Sequence, residues 1–212
     1  MTDSPLPIAV LISGSGSNLQ ALLESSQHGI DFVISVVVSD RHGVGGLDRA
    51  SEAGLSTEVV EWSDFDSRHE FTTALCDVAQ DHGARSLVLA GFMRILSPDA
   101  IERFPYAIIN VHPALLPAFP GAHAVEDALD YGVSVTGVTV HFVDEQVDHG
   151  PIILQEAVTV RPDDDVQSLH ARLQTVEHRI LPEAVAAHAR GVLTVQGRDV
   201  RWGYTPREAI TR

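Results

Sequence analysis

Lysine is absent: all 14 basic residues of the 212-residue chain are arginine. That excludes Schiff-base lysine chemistry and a Walker-type phosphate loop, which needs Lys. Positive charge of any kind is scarce, because 29 acidic residues leave a net charge of −15. Nucleic-acid binding rests on neutralised phosphates, so no nucleic-acid partner is expected, and small substrates in a local pocket are. Cysteine occurs once, at Cys76, so an intramolecular disulfide is ruled out. Within EFTTALCDVAQ it reads as a small core residue rather than a nucleophile. No apolar run reaches the length of a membrane span, and MTDSPLPIAVLISG lacks a positive region ahead of its apolar residues. A cytoplasmic protein without a membrane partner is the expectation.

What is there points to an α/β protein. Hydrophobic residues make up 44% and charged ones 20%, as in ordinary soluble domains. The length suits one large domain or two tightly joined halves. Short apolar runs, IAVLI (8–12), FVISVVVS (32–39), SLVLAG (86–91) and AIINVH (107–112), read as buried strands, with a brief strand near TEVVE. Between them, SNLQALLESSQ has helical spacing and GGLDRASEAG belongs to a Gly-rich turn. DFDSRHEFTTALCDVAQDHG reads as a helix opened by an Asp cap, and SPDAIERF starts a short one. After Gly121, VSVTGVTVHFV (133–143) and PIILQEAVTV (151–160) form an expected antiparallel pair. DVQSLHARLQTVEHRILPEAVAAHAR is a long helix capped by Asp165, which Pro182 should kink or split. VLTV and VRW supply a short β tail. The expectation is a three-layer, mostly parallel twisted sheet with helices on both faces and an antiparallel C-terminal extension.

LISGSGSNLQAL sets Gly14 and Gly16 between the first strand and the first helix. Backbone N–H groups there can approach an anion, and the helix N-terminus adds partial positive charge. The dinucleotide fingerprint wants a glycine at position 19, where Leu19 stands. Asp40, ending the second strand, sits where such a protein holds a ribose, so a nicotinamide-dependent oxidoreductase remains an alternative. Ser17 and Asn18 suit a terminal monophosphate. The plainer reading is that one of them caps the helix and the glycines only make the turn.

INVHPALLPAFPG carries the chemistry. Residues i and i+2 of an extended segment share a side, so Asn110 and His112 face together at the carboxyl end of a strand, where open α/β sheets place ligands. Pro113, Pro117 and Pro120 stiffen the segment leaving that strand. An amide beside an imidazole suits a carbonyl carbon becoming tetrahedral: the amide donates to the oxyanion, and an imidazolium donates too or protonates a leaving amine. The imidazole needs a carboxylate to orient it. Asp148, in VDEQVDHGPIIL, is the candidate, with Asp144 and Glu145 as competitors. The alternative is that Asn110 satisfies loop backbone and His112 is a half-buried strand end.

Taken together, LISGSGSNLQAL, LAGFMRILS, INVHPALLP, TVHFVDEQVDHGPIILQ and LQTVEHRILP, in order from about residue 8 to residue 182, resemble the glycinamide ribonucleotide (phosphoribosylglycinamide) formyltransferases, folate-dependent enzymes of purine synthesis. The resemblance implies the Rossmann-like formyltransferase fold over a single domain, residues 1–212. About 1–105 would form a nucleotide- and phosphate-binding half, and about 106–212 a folate-binding and catalytic half. It implies direct formyl transfer from 10-formyltetrahydrofolate to the amine of glycinamide ribonucleotide, with no covalent enzyme intermediate and no metal. Asn110, His112 and Asp148 would be the catalytic trio. Gly16, Ser17 and Asn18 would hold the substrate phosphate and Glu177 its ribose. Arg68 would lie near the folate tail, and the backbone of Met93, Arg94, Ile95 and Leu96 would grip the pterin, with Val143 and Asp144 opposite. His141, on the same strand face as Thr139, is open between packing and pocket lining. A monomer or homodimer is expected.

Three positions depart from the family pattern: Ala114 stands for a frequent Ser, Ala118 for a frequent Lys, and Gln174 for a Lys that some members place near the phosphate. Among rivals, a formyltransferase acting on initiator tRNA is expected to have an extra C-terminal domain and a basic surface. A formyl-folate hydrolase is expected to have an extra N-terminal domain, whereas a strand is expected here by about residue 8.

Overall fold

The structure, a computed structural model, describes residues 4–28 and 31–203. Its main sheet contains β1 (Leu6–Ile12), β2 (Phe32–Ser39), β3 (Thr57–Val59), β4 (Ser86–Leu89), β5 (Ile108–His112), β6 (Val135–Phe142) and β7 (Ile152–Thr159). They lie in the order β3-β2-β1-β4-β5-β6-β7. The first five in chain order are parallel, while β6 runs antiparallel to β5 and β7 antiparallel to β6. The apolar runs are explained by burial from both sides. In β1, Ile8, Val10 and Ile12 point into one core layer, and Ala9 and Leu11 into the other.

The first layer holds α1 (Ser17–His28), α2 (Gly45–Glu52), α5 (Ala124–Tyr131) and the long α6 (Val166–Ala189); the second holds α3 (Arg68–Asp81) and α4 (Pro98–Arg103). Fully buried Phe71 anchors the second layer, with Trp62, Phe65 and Phe92 around it at ring distances of 5.1, 5.8 and 6.4 Å. A separate hairpin, β8 (Leu193–Gln196) and β9 (Asp199–Trp202), is tied to the sheet edge where Trp202 Nε1 donates to the Ile153 carbonyl at 3.2 Å. The sheet runs unbroken past residue 105, since β4 pairs with β5 across it.

Three local expectations need correction, and one element was not expected. GGLDRASEAG is a helix, α2, rather than a turn: Leu47 and Ala50 pack inward at helical spacing, and the glycines serve close approach. A Cβ on Gly46 would come within 2.5 Å of Ile12 Cδ1. The cap of α3 is Ser67, whose hydroxyl accepts from the Glu70 N–H at 3.2 Å, not an Asp. Pro182 does not split α6, because Ile180, Leu181, Pro182, Ala184 and Val185 are buried on both sides of the lost bond and hold the helix together. Finally, α5 had no counterpart in the expectations. Its signals are present: Ala124, Val125 and Ala128 are buried at helical spacing and left-handed Gly132 stops it. Asp165 does cap α6, in a reciprocal pair with Ser168.

This topology positions the site. β1 lies between β2 and β4, so the chain winds first one way and then the other from it. Ligands of open α/β sheets bind at such a switch point, beyond the carboxyl ends of the parallel strands. The segments leaving β1, β4 and β5 there are residues 13–16, 90–97 and 113–123.

Candidate active site

β5 delivers Asn110 and His112 to the same side, and the loop between β6 and β7 brings Asp148 to both. His112 Nδ1 lies 3.4 Å from Asp148 Oδ2, and Asn110 Nδ2 lies 3.3 Å from Asp148 Oδ1. His112 Nε2 is 2.8 Å from the Phe119 carbonyl, which can only accept, so that nitrogen carries hydrogen and Nδ1 faces the carboxylate. The Gly121 N–H donates to Asp148 Oδ2 at 2.8 Å. Burial, the largest influence, pushes the Asp148 carboxyl up, but the His141 ring 3.8 Å away, the Gly121 N–H and the His112 ring outweigh it, and the group lies below its ordinary value.

A depressed carboxyl makes a signed contribution to stability. The contribution is complete above the unfolded-chain value of about 3.9 and is lost as pH falls through the lower folded value. Acid unfolding of Asp148→Asn should therefore lack part of the wild-type stability gained between those values. An identical acid limb in the two proteins would contradict the shift.

The segment after β5 is held by more than its prolines. Thr139 Oγ1 donates to the Ala114 carbonyl at 2.6 Å and accepts from the Leu116 N–H at 3.1 Å, while Gln155 Nε2 donates to the Leu116 carbonyl at 2.8 Å. The Leu116–Pro117 bond is cis. Asp148 has φ of 49°, a left-handed conformation that costs an ordinary L-residue about 1–2 kcal/mol, less for Asp. Gly150 follows with no room for a side chain, because a Cβ there would sit 1.8 Å from the Phe142 carbonyl oxygen.

A cavity of about 480 Å³ opens onto this group, lined by Asn110, His112 and Asp148 together with Met93, Arg94, Ile95, Leu96, Val143 and Asp144. The Arg94 side chain is committed elsewhere: its Nε donates to Asp40 at 2.6 Å and its guanidinium lies 5.2 Å from the Trp62 ring. Buried Asp40 also pairs with Arg41, and despite the upward push of burial these partners hold its carboxyl below the ordinary value. A carboxylate shared by two arginines is no ribose holder, which removes the main support for a nicotinamide reading. The loop from Gly91 is tied to the glycine turn where the Met93 N–H donates to Ser13 Oγ at 2.9 Å.

Asn18 and Glu177 also come together, although 159 residues apart: Asn18 Nδ2 donates to Glu177 Oε2 at 2.8 Å, and both residues are buried. Asn18 Oδ1 is buried without a partner. The glycine turn is stapled to α2, with the Gly46 N–H donating to the Gly14 carbonyl at 3.0 Å and Arg49 Nε to the Ser15 carbonyl at 2.9 Å.

The family described as Formyl transferase matches residues 6–185. The chain belongs to the formyl transferase family. Phosphoribosylglycinamide formyltransferase of Mycobacterium tuberculosis is 42% identical over 201 residues, covering 95% of this chain and 93% of that one. The trifunctional purine biosynthetic protein adenosine-3 of Bos taurus is 46% identical over 187 residues, 88% of this chain. The chain spans only 18% of that longer relative. Among solved structures, glycinamide ribonucleotide transformylase 1 from Symbiobacterium toebii superposes with a TM-score of 0.92 at 46% identity, covering 94% of this chain and 95% of that one. The formyl transferase fold is thus shared over nearly the whole length.

The structure brings Asn110, His112 and Asp148 into one cluster on one cavity with residues 93–96, 143 and 144. Gly16, Ser17, Asn18 and Glu177 lie outside that lining, as does Arg68, which is exposed in the first turn of α3. Asp144, expected as a competitor for His112, pairs instead with His149 at 2.7 Å. His141 is the residue that strand reasoning left undecided. It is 1% exposed, donates from Nδ1 to the Phe142 carbonyl at 2.8 Å, and takes an Asn110 N–H on Nε2 at 3.2 Å. Its signal was the cross-strand register, which sets Asn110 opposite His141 and His112 opposite Thr139. Burial pushes the Cys76 thiol up to about 11, so it is inert at neutral pH. Among the described residues no group of three or more His, Cys, Asp or Glu side chains is arranged to hold a metal ion, and no helix is long and apolar enough to cross a membrane.

Proposed function

We propose that the protein transfers the formyl group of 10-formyltetrahydrofolate to the primary amine of glycinamide ribonucleotide. The observation that carries this reading is the convergence of Asn110, His112 and Asp148 on a cavity that residues 93–96, 143 and 144 also line. The similarity to phosphoribosylglycinamide formyltransferase over 95% of the chain supports the choice of substrates.

The amine attacks the formyl carbon, the C=O bond opens, and its oxygen becomes an oxyanion. Asn110 Nδ2 and the His112 ring donate to that oxygen, the ring through the Nε2–H that the Phe119 carbonyl holds in the free protein and releases to it. Both amide hydrogens of Asn110 are taken in the free protein, by His141 and Asp148, so the oxyanion displaces one of these acceptors. Asp148 holds the ring and helps pass the proton from the attacking amine to the departing folate nitrogen through water. Collapse of the intermediate breaks the bond from carbon to that nitrogen. The amide donor contributes about 10²–10³ in rate and the proton transfer about 10²–10⁴.

The pterin lies against main chain, since Arg94 points its side chain to Asp40 and Met93 and Ile95 turn theirs to solvent. Arg68 serves the folate tail only from outside the cavity. Gly16, Ser17 and Asn18 hold the phosphate through N–H groups at the start of α1, and Glu177, fixed by Asn18, holds the ribose. Arg49 beside Ser15 supplies positive charge where the chain has no lysine.

The test follows formyl loss from 10-formyltetrahydrofolate with and without glycinamide ribonucleotide. Loss that requires the nucleotide and yields its formylated amine is expected. Loss independent of the nucleotide would mean a hydrolase, and no loss with either would end the enzyme reading.

A further inference from the structure

A second cavity, of about 530 Å³, lies behind the loop that carries Asp148, lined by Pro117, Pro120, His149, Gly150 and Arg198 among others. Gln146, Val147 and Asp148 line both cavities. The stretch 146–148 is therefore a partition with open space on each side, close-packed only at its Gly150 end. Its backbone nevertheless needs holding, because Asp148 sits at a φ of 49° that L-residues disfavour.

Arg198 reaches this loop from the turn between β8 and β9. Its Nη2 donates to the His149 carbonyl at 2.6 Å, and its Nη1 lies 3.1 Å from His149 Nε2 and 3.2 Å from Nδ1. His149 Nδ1 is 2.7 Å from Asp144 Oδ2, and Asp144 Oδ1 accepts from the Gln146 N–H at 3.0 Å. Guanidinium, imidazole and carboxylate thus form a chain that joins both ends of the loop to the hairpin. The hairpin is itself pinned through Trp202. It lies beyond residues 6–185, the part matched by the formyl transferase family.

We propose that Arg198 is a positioning residue: it braces residues 144–150 so that the Asp148 carboxylate stays against His112 and Asn110. A planar fork of five donors can hold a carbonyl and a ring together, which a single ammonium cannot. The kinetic consequence rests on the formyl-transfer reading; the structural one does not.

The experiment uses the full chain with Arg198→Ala, Arg198→Lys and, as a control on the same hairpin, Arg201→Ala, whose side chain pairs with Asp199 of that hairpin at 2.7 Å. A 1 Å misplacement of a reacting group can cost about 10²-fold, and losing an exposed brace forfeits part of that, so kcat of Arg198→Ala should fall about tenfold. KM for the nucleotide should stay within about twofold, as for a loss felt in the transition state. Arg198→Lys should recover part of the rate. Amide hydrogen exchange at residues 145–150 should quicken in Arg198→Ala and not in Arg201→Ala. An active wild type with kcat unchanged in Arg198→Ala overturns the proposal. A wild type that transfers no formyl group overturns the functional reading instead. In that event unchanged exchange in Arg198→Ala overturns the brace, and faster exchange upholds it.

Discussion

Asp148→Asn should lower kcat for formyl transfer about 10³-fold, combining lost orientation of the imidazole with lost proton transfer, while KM for either substrate changes far less. Asn is the informative replacement. It matches Asp in volume, tolerates the left-handed backbone at φ 49°, and can still accept the Gly121 N–H that Asp148 Oδ2 takes at 2.8 Å. What it removes is the charge 3.4 Å from His112 Nδ1, together with the second oxygen that accepts from Asn110 Nδ2 at 3.3 Å. Alanine would mix that loss with backbone strain. Steady-state kinetics with both substrates, alongside a melting curve to show an intact fold, checks the expectation. Wild-type turnover in a folded Asp148→Asn protein would remove this carboxylate from the mechanism.

Gly150→Ala should cost stability as well as rate. The added Cβ would fall 1.8 Å from the Phe142 carbonyl oxygen and 2.8 Å from its carbon, both backbone atoms at the end of β6. No flexible side chain can yield, so either the strand end or the loop must move. Overpacking of this kind costs about 1–3 kcal/mol, and backbone contact places it at about 3. For a domain of this size that lowers Tm by about 6–12 °C. Gly45→Ala is the matched control, because its Cβ would meet nothing nearer than 3.6 Å. Thermal unfolding of the two variants side by side decides it. A Gly150→Ala protein melting with the wild type would mean that the loop has slack the structure denies it.

The parts of this protein legible in its sequence are those fixed by short-range periodicity. The near-continuous apolar runs fall on β1, β2, β4 and β5, and the i, i+2 spacing puts Asn110 and His112 on one side. Asp148 could be singled out as a carboxylate in a loop, but its contact with His112 depends on where a hairpin closes. His141 was undecidable for the same reason: only the register between β5 and β6 sets it against Asn110. α2 hid behind its glycines, which look like breakers until Gly46 is seen pressed against Ile12 and the glycine turn. α5, at eight residues, is too short for periodicity to stand out beside the prolines before it. Arg198 carried no local signal, since its partner His149 is 49 residues away.

The bond between Asn18 and Glu177 has a consequence for how the molecule is made. These side chains are separated by 159 residues, so at about 5–20 residues per second a ribosome completes α6 on the order of ten seconds after α1. Throughout that interval Asn18 has no Glu177 to hold. A growing or truncated chain without α6 lacks the carboxylate proposed above to hold the ribose, so on that reading capture of the nucleotide waits until α6 has emerged.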